Sequence, residues 1–174
     1  MKGIGALLWE KIRTVVLFFL NLLFRIWHKE LTQEAEDSFL QFVKFGLVGV
    51  SNTVVNYVIY VLCLLLIESA GLWEEFDYLA ATAVGFVLSV LWSFFWNNKF
   101  VFTVEEGARR SVWKALVKTY ISYSFTGLFL NSILMYVWVK VFHISEFLGP
   151  IFNLLLSVPV NFLINKYWAF KKEE

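Results

Sequence analysis

Four long stretches without a charged residue until their ends constrain the fold of this chain more than any other feature. They are Phe45–Ile67, Tyr78–Trp96, Thr119–Phe142 and Phe147–Asn165. A helix needs about 20 apolar residues to cross a hydrocarbon core about 30 Å thick. The composition agrees with a membrane protein, because 59% of the residues are hydrophobic and only 17% are charged. The sequence therefore predicts four transmembrane helices.

The first 40 residues follow a different pattern. Their apolar run, Thr14–Phe24, is flanked on both sides by basic residues. At about 1.5 Å per residue this run is too short to span the hydrocarbon core. We expect Ile4–Trp27 to form a basic amphipathic helix that lies in the membrane interface, with a fifth span as the alternative. Gln33–Ser38 is then predicted to be a solvated acidic linker.

The two halves of the remaining chain resemble each other. The segment NNKFVF at 97–102 corresponds to NKYWAF at 165–170, 68 residues later. The same offset pairs Gly85 with Asn153, Ser89 with Ser157 and Ser93 with Asn161. In the first and third spans an offset of 75 pairs three small or amide residues with three others: Gly49, Asn52 and Asn56 with Ser124, Gly127 and Asn131.

Because each repeat crosses the membrane twice, both copies have the same orientation, which predicts a pseudo-twofold axis along the membrane normal. The predicted fold is an all-α membrane protein with four transmembrane helices arranged as two parallel two-helix repeats, plus the N-terminal amphipathic helix. The predicted domains are 1–40, which holds the interfacial helix and linker, and 41–172, the four-span membrane domain. The repeats are 42–102 and 116–170.

The basic residues predict the orientation of the spans. Fourteen of the 15 lysines and arginines lie before the first span, in the loop between the second and third spans, or in the tail. Positive residues concentrate on the cytoplasmic side of membrane proteins. We therefore expect a multi-pass protein of the cytoplasmic (inner) membrane with both termini in the cytoplasm. The loops near Trp73 and Ser145 would lie outside.

Amide side chains form the candidate site. Small and polar residues at a spacing of four usually serve as packing contacts between membrane helices, and that interpretation remains open here. The alternative is that the amides line a polar groove in the cytoplasmic half for a sugar or headgroup. The residues assigned to this groove are Asn52, Asn56, Asn97, Asn98, Asn161, Asn165 and Trp168.

Lysines at the cytoplasmic ends of the spans are the candidates for binding a lipid phosphate, because charge-assisted hydrogen bonds to phosphate are strong. Lys99 and Lys166 would stand at the mouth of the groove, and Lys44 and Lys118 at the starts of the repeats are the next candidates. Lys99 and Lys166 can equally serve as plain interfacial anchors.

The sequence contains no pattern that indicates an enzyme. There is no Gly-rich phosphate loop and no Ser-His-Asp set, and neither His28 nor His143 has neighbours that suggest a metal site. We expect no catalytic residue, metal or cofactor, and no nucleic-acid partner. The spans also have no carboxylate in their interior, which disfavours a proton-coupled multidrug exporter.

Two segments resemble a known family. The segment FGLVGVSNT at 45–53 is similar to the start of GtrA-like membrane proteins, and NFLINKYWAF at 161–170 is similar to their end. The resemblance runs from about Phe42 to Phe170. It implies a four-span protein of cell-surface polysaccharide synthesis, whose proposed task is to move a polyprenyl-phosphate-linked monosaccharide across the membrane. It also implies a membrane glycosyltransferase as partner.

The leading functional hypothesis is therefore a lipid-linked sugar translocase. Four short spans can hardly enclose a path alone, so we expect a homo-oligomer surrounded by membrane lipid. The alternative hypothesis is a non-transporting scaffold that recruits a glycosyltransferase.

Overall fold

The computed structural model describes residues 4–26, 28–71, 76–104, 109–145 and 147–171, and within these ranges the fold is all-α. The first two helices are α1, Ile4–Ile26, and α2, Gln33–Ser69. The N-terminal prediction ended at Trp27, which lies outside the described residues, as does Trp73 of the predicted first external loop.

Each of the three later helices contains π-helical turns. Helix α3 covers Asp77–Trp96 and continues as a π turn at Asn97–Val101. Helix α4, Val112–Val141, has π turns at Phe125–Leu130 and Val137–Val141. Helix α5 covers Gly149–Ile164 and ends in a π turn at Asn165–Ala169. Such turns widen a helix and occur frequently at functional sites.

Among the described residues, three helices are long and apolar enough to cross a membrane: α2, α3 with its π turn, and α4. The predicted fourth span, Phe147–Asn165, coincides with α5, which is not one of the three. The α-helical part of α5 has only 16 residues, whereas a crossing needs about 20. The protein is thus an all-helical membrane protein.

The chain divides into two compact units, Met1–Lys44 and Phe45–Glu174. In the first unit, called unit 1, Arg13 Nη2 donates to Glu36 Oε1 at 3.0 Å. The Lys44 ammonium lies 4.9 Å from the centre of the Trp9 ring. These two contacts join α1 to the first turns of α2.

The prediction of a linker at Gln33–Ser38 was wrong, because these residues form the first turns of α2. Thr32 caps the helix: its Oγ1 accepts from the backbone N–H of Ala35 at 3.3 Å, and its carbonyl accepts from that of Glu36 at 3.0 Å. The acidic side chains in this first turn also favour a helix, since they face the positive end of its dipole.

The second unit, called unit 2, buries polar as well as apolar side chains and has an apolar exterior. Its fully buried side chains include Ser93, Asn97, Thr119 and Asn165. Large apolar side chains point outward, such as Leu128, which is 71% exposed. This distribution is the reverse of that in a soluble domain and suits helices that pack through small and polar residues in lipid.

Aromatic side chains close one end of unit 2. The aromatic core consists of five buried phenylalanines: Phe45, Phe94, Phe102, Phe162 and Phe170. The rings of Phe102 and Phe170 stack with their centres 4.6 Å apart, and Phe45 meets Phe162 at 5.5 Å. The ends of α3 and α5 therefore meet in this core.

Two glycines allow close contact between helices. A Cβ at Gly85 would lie 2.7 Å from Asn56 Oδ1, and a Cβ at Gly149 would lie 2.8 Å from Met135 Sδ. At Gly85 the backbone carbonyl of Asn56 is also only 3.3 Å away, so this glycine sets the approach of α3 to α2, whereas at Gly149 the flexible end of Met135 could shift.

Candidate functional site

A partly open cavity of about 440 Å³ lies in unit 2 between α2, α4 and α5. Its lining residues are Phe45, Gly46, Gly49, Val50, Asn52, Thr53, Tyr123, Thr126, Gly127, Asn131, Leu154, Ser157, Val158 and Asn161. None of these carries a charge. The volume falls within the range of about 300–1,000 Å³ that is usual for small-molecule sites.

Local features of the sequence open this space. Gly46, Gly49 and Gly127 line the cavity, and a Cβ at any of them would meet nothing within 4 Å. Their missing side chains are thus part of the volume. Gly127 also lies in the π turn Phe125–Leu130, where the wider helix turn displaces the backbone from regular α packing.

Three amides reach the cavity, one from each helix. Asn161 is held in place, because its Oδ1 accepts from Ser122 Oγ at 2.9 Å and from Asn165 Nδ2 at 3.0 Å. In contrast, the Oδ1 atoms of Asn52 and Asn131 are buried without a hydrogen-bond partner in the described part of the chain. Buried acceptors normally have partners, so these two amides have unused acceptor capacity beside the cavity.

The two threonine hydroxyls of the cavity wall have their hydrogens engaged. Thr53 Oγ1 donates to the carbonyl of Gly49 at 3.1 Å, and Thr126 Oγ1 donates to that of Ser122 at 2.9 Å. A hydroxyl that donates to its own helix keeps its lone pairs as acceptors. These two hydroxyls therefore add neutral acceptors to a wall that also carries the amide nitrogen of Asn52 and the hydroxyl of Ser157 as donors.

Two of the predicted groove residues, Asn97 and Asn165, are fully buried instead of lining the cavity. Asn97 Nδ2 donates to Ser93 Oγ at 3.1 Å and lies 3.4 Å from the Tyr123 hydroxyl. Asn165 Nδ2 donates to Ser122 Oγ at 3.0 Å. Asn165 is nevertheless one hydrogen bond away from the cavity, through Asn161.

The other predicted groove residues have different neighbours. Asn56 lies against Gly85. Asn98 Oδ1 accepts a short hydrogen bond from Arg110 Nη2. Trp168 is 40% exposed, and its carbonyl accepts from Lys118 Nζ at 3.2 Å. Of the predicted groove residues, the cavity thus brings together Asn52 and Asn161.

The candidate phosphate lysines lie beside aromatic rings. The Lys99 ammonium is 5.4 Å from the centre of the Phe100 ring, and that of Lys166 is 5.7 Å from Phe162. Lys118 contacts the turn that carries Lys166, through the Trp168 carbonyl. Lys44 belongs to unit 1. None of the four is among the residues that line the cavity.

Comparison with known proteins identifies the family. A family model described as "GtrA/DPMS, transmembrane domain" matches residues 44–170. The chain belongs to this family.

Two curated relatives support the assignment to the GtrA/DPMS family. The "Uncharacterized membrane protein YwcD" of Bacillus subtilis is 29% identical over 126 residues, which cover 72% of this chain and 93% of YwcD. The "Cell wall teichoic acid glycosylation protein GtcA" of Listeria monocytogenes is 25% identical over 140 residues, covering 78% of this chain and 88% of GtcA. No solved structure matches the chain.

Sequence reasoning missed one residue of this GtrA/DPMS domain. Arg110 Nη1 donates to the carbonyl of Phe170 at 3.0 Å, and Nη2 donates to that of Phe102 at 2.9 Å. Its guanidinium lies 4.9 Å from the centre of the Phe170 ring. Burial lowers the pKa of Arg110 from its usual value, because desolvation disfavours the charged form. Arg110 thus ties the ends of the two repeats together.

Proposed function

We propose that this protein moves a polyprenyl-phosphate-linked monosaccharide across the cytoplasmic membrane for the glycosylation of a cell-surface polysaccharide. The observation that carries the proposal is the uncharged cavity between α2, α4 and α5, whose largely apolar wall presents the amides and hydroxyls of residues such as Asn52, Asn161 and Ser157. Amides and hydroxyls can replace the water around a sugar, while the prenyl chain stays in lipid. The printed name of the Listeria relative, a teichoic acid glycosylation protein, supports the same direction.

The proposal includes four membrane crossings arranged as two parallel repeats. In the first repeat Asn56 lies against Gly85. At the matching positions of the second repeat, Asn153 Nδ2 donates to the carbonyl of Asn131 at 3.0 Å. As the fourth crossing, α5 would bury its polar residues, such as Asn153, and expose apolar ones, such as Leu155, to lipid.

The proposed orientation has both termini in the cytoplasm, with α1 in the plane of the inner leaflet. The concentration of basic residues on one side supports it. Helix α1 also presents exposed apolar side chains such as Phe18 and Phe19, while charged residues interrupt its N-terminal half. This combination suits an interfacial helix.

The lipid phosphate would bind to the lysines at the ends of the repeats. Lys99 and Lys166 occupy the two matching π turns, so each repeat offers one ammonium group at its end. Lys118 and Lys44 are the further candidates. We propose that a membrane glycosyltransferase supplies the lipid-linked sugar and that the protein acts as a homo-oligomer, without catalysing a reaction itself.

Reconstitution into liposomes tests this function. Purified protein would be inserted into vesicles that contain a labelled polyprenyl-phosphate-linked hexose, and the label in each leaflet would be measured over time. We expect the protein to speed the exchange between leaflets. If a glycosyltransferase co-purifies but no lipid-linked sugar moves, the protein is a scaffold instead.

Lysine variants test the phosphate site in the same vesicles. Removing one charged contact costs about 1.5–3 kcal/mol, so Lys166→Ala and Lys99→Ala should each weaken lipid-phosphate binding roughly tenfold to hundredfold. Lys140→Ala is the matched control, because Lys140 is exposed and lies at the end of α4 that is opposite Lys118. Normal binding and movement in both variants would mean that the two lysines are only interfacial anchors.

A further inference from the structure

The cavity wall offers a ligand many acceptors and no charge. Its two threonine hydroxyls already donate to Gly49 and Ser122, and the Oδ1 atoms of Asn52 and Asn131 have no partner among the described residues. Because the last torsion of asparagine is broad, a small rotation turns either oxygen toward the cavity. A ligand that brings hydrogen-bond donors satisfies these oxygens, and the lining residues offer no charge that could balance an ionised group.

We propose that this cavity selects an uncharged, hydroxyl-rich monosaccharide and excludes both the phosphate and sugars that carry a charge. The inference rests on the proposed function and names its substrate class: neutral hexoses, pentoses and N-acetylhexosamines. Uronic acids and free amino sugars are excluded.

The physical reason differs for the two kinds of charge. A uronic acid carboxylate would find neutral donors, such as the amide nitrogen of Asn52, but no cation among the lining residues to balance its charge. An ammonium group would find acceptors but no carboxylate to balance its charge. In both cases an unbalanced charge loses its water in a site of low polarity.

The phosphate must then bind elsewhere. The contacts indicate the place: Phe45 lines the cavity and packs on Phe162, and the Lys166 ammonium lies beside the Phe162 ring. The aromatic pair therefore separates the neutral cavity from the nearest cation along this chain of contacts. Because the phosphate is bonded to the anomeric oxygen of the sugar, it would lie at the edge of the cavity beside Phe45, on the side of Phe162 and Lys166.

The experiment uses the full-length protein in liposomes with three labelled lipids that share one polyprenyl phosphate and differ in the sugar: glucose, glucuronic acid or glucosamine. Binding of each lipid to detergent-solubilised protein is measured in parallel. We expect the glucosyl lipid to bind and move at least about tenfold better than either charged lipid, because burying an unbalanced charge costs more than that factor.

The outcomes separate this inference from the proposed function. Equal movement of all three lipids would overturn the selectivity and leave the translocase intact. Selective binding of the glucosyl lipid without movement would support the cavity chemistry and overturn the translocase. If neither binding nor movement distinguishes the glucosyl lipid, and an N-acetylglucosaminyl and an arabinosyl lipid behave the same way, the cavity is not a sugar site.

A charge placed on the wall provides the converse test. Asn131→Asp should improve binding of the glucosaminyl lipid about tenfold and weaken that of the glucuronosyl lipid, since the new carboxylate balances an ammonium and repels a carboxylate. Asn52→Asp serves if the first variant does not fold. Asn21→Asp, on an exposed residue of α1, is the matched control. No change in preference in a folded variant would contradict the assignment of the sugar to this cavity.

Discussion

Asn97 and Asn165 start the same turn of π helix at the ends of α3 and α5, and both are fully buried. In each copy the backbone N–H five residues later, at Phe102 or Phe170, donates to the asparagine carbonyl at 2.8 Å. The partners of the side chains differ. Asn97 contacts a serine one turn earlier and a tyrosine hydroxyl, whereas Asn165 contacts Asn161, which lines the cavity.

The π turn that ends α3 and the matching π turn that ends α5, called the two endings, thus have different side-chain partners. In the first repeat the ending joins α3 to α4 through Tyr123, whose hydroxyl lies 2.6 Å from Ser93 Oγ. In the second repeat it fixes an amide that faces the cavity. Both asparagines thus contact a residue that lines the cavity, and the copies differ in what is held there: the tyrosine hydroxyl of Tyr123 in the first and the amide of Asn161 in the second.

A second difference lies along the spans. Tyr120 packs on the Phe86 ring and donates to the Val87 carbonyl, and Trp92 Nε1 donates to Ser51 Oγ. At the repeat offsets, three aromatic residues of this region correspond to smaller or less polar ones near the cavity: Tyr120 to Phe45, Phe86 to Leu154 and Trp92 to Val160. Large side chains therefore fill the contacts of α3 with α2 and α4, whereas smaller ones leave room at the matching positions of α2 and α5.

The largest expected effect on stability comes from removing the buried asparagine with which each of the two endings begins. Asn97→Ala and Asn165→Ala should each lower the free energy of unfolding by about 2–4 kcal/mol, because each leaves a small cavity and unpaired buried hydroxyls. Denaturant unfolding in detergent micelles measures this. Asn21→Ala is the control, since Asn21 is exposed and its amide donates to its own helix. A loss confined to one copy would show that the endings are not equivalent.

The next effect concerns the residue that ties the endings together. Arg110→Ala should lower the free energy of unfolding by about 1.5–3 kcal/mol, since it removes a charged donor from the carbonyls of Phe102 and Phe170. Arg110→Lys should recover only part of the loss, because an ammonium cannot reproduce the planar fork. Arg109→Ala is the matched control, because the neighbouring Arg109 is exposed. Thermal unfolding of the variants measures the change, and an equal loss of stability in Arg109→Ala would contradict the role assigned to Arg110.

A third prediction exchanges the side chains that differ between these matching positions of α3 and α5. Leu154→Phe should fill part of the cavity and reduce lipid-linked sugar binding about tenfold, while changing the free energy of unfolding by less than about 1.5 kcal/mol. Phe86→Leu, the reverse change at the matching position, should leave binding unchanged. Binding titrations and unfolding curves of both variants test the comparison, and equal effects on binding would refute it.

The smallest expected effect distinguishes Tyr123, the hydrogen-bond partner of the first ending, from Ser122, that of the second. Tyr123→Phe should lower the free energy of unfolding by about 0.5–1.5 kcal/mol, because it removes one hydroxyl from Ser93 and Asn97. Ser122→Ala should cost a similar amount but should also weaken sugar binding, since Ser122 holds Asn161. If Tyr123→Phe weakens binding as much as Ser122→Ala does, both endings serve the cavity.

Much of the helical structure could be predicted from charge and apolar length alone. The N-terminal prediction, Ile4–Trp27, agrees with α1 over the described residues, and Tyr78–Trp96 nearly coincides with the α-helical part of α3. The acidic start of α2 was missed because charged residues suggested solvent, although the cap at Thr32 and the helix dipole favour a helix there. Burial of an apolar stretch is read easily from sequence, whereas a polar helix start depends on local hydrogen bonds.

The candidate site could be predicted only in part. Recurrence in the two halves was enough to single out Asn52, Asn97, Asn161 and Asn165. An asparagine that fills its hydrogen bonds inside the bundle has the same letter and spacing as one that faces a cavity, so only the packed helices distinguish Asn97 from Asn161. The role of Arg110 also arises from packing: its loop must fold back before the guanidinium can reach two carbonyls that are eight and 60 residues away.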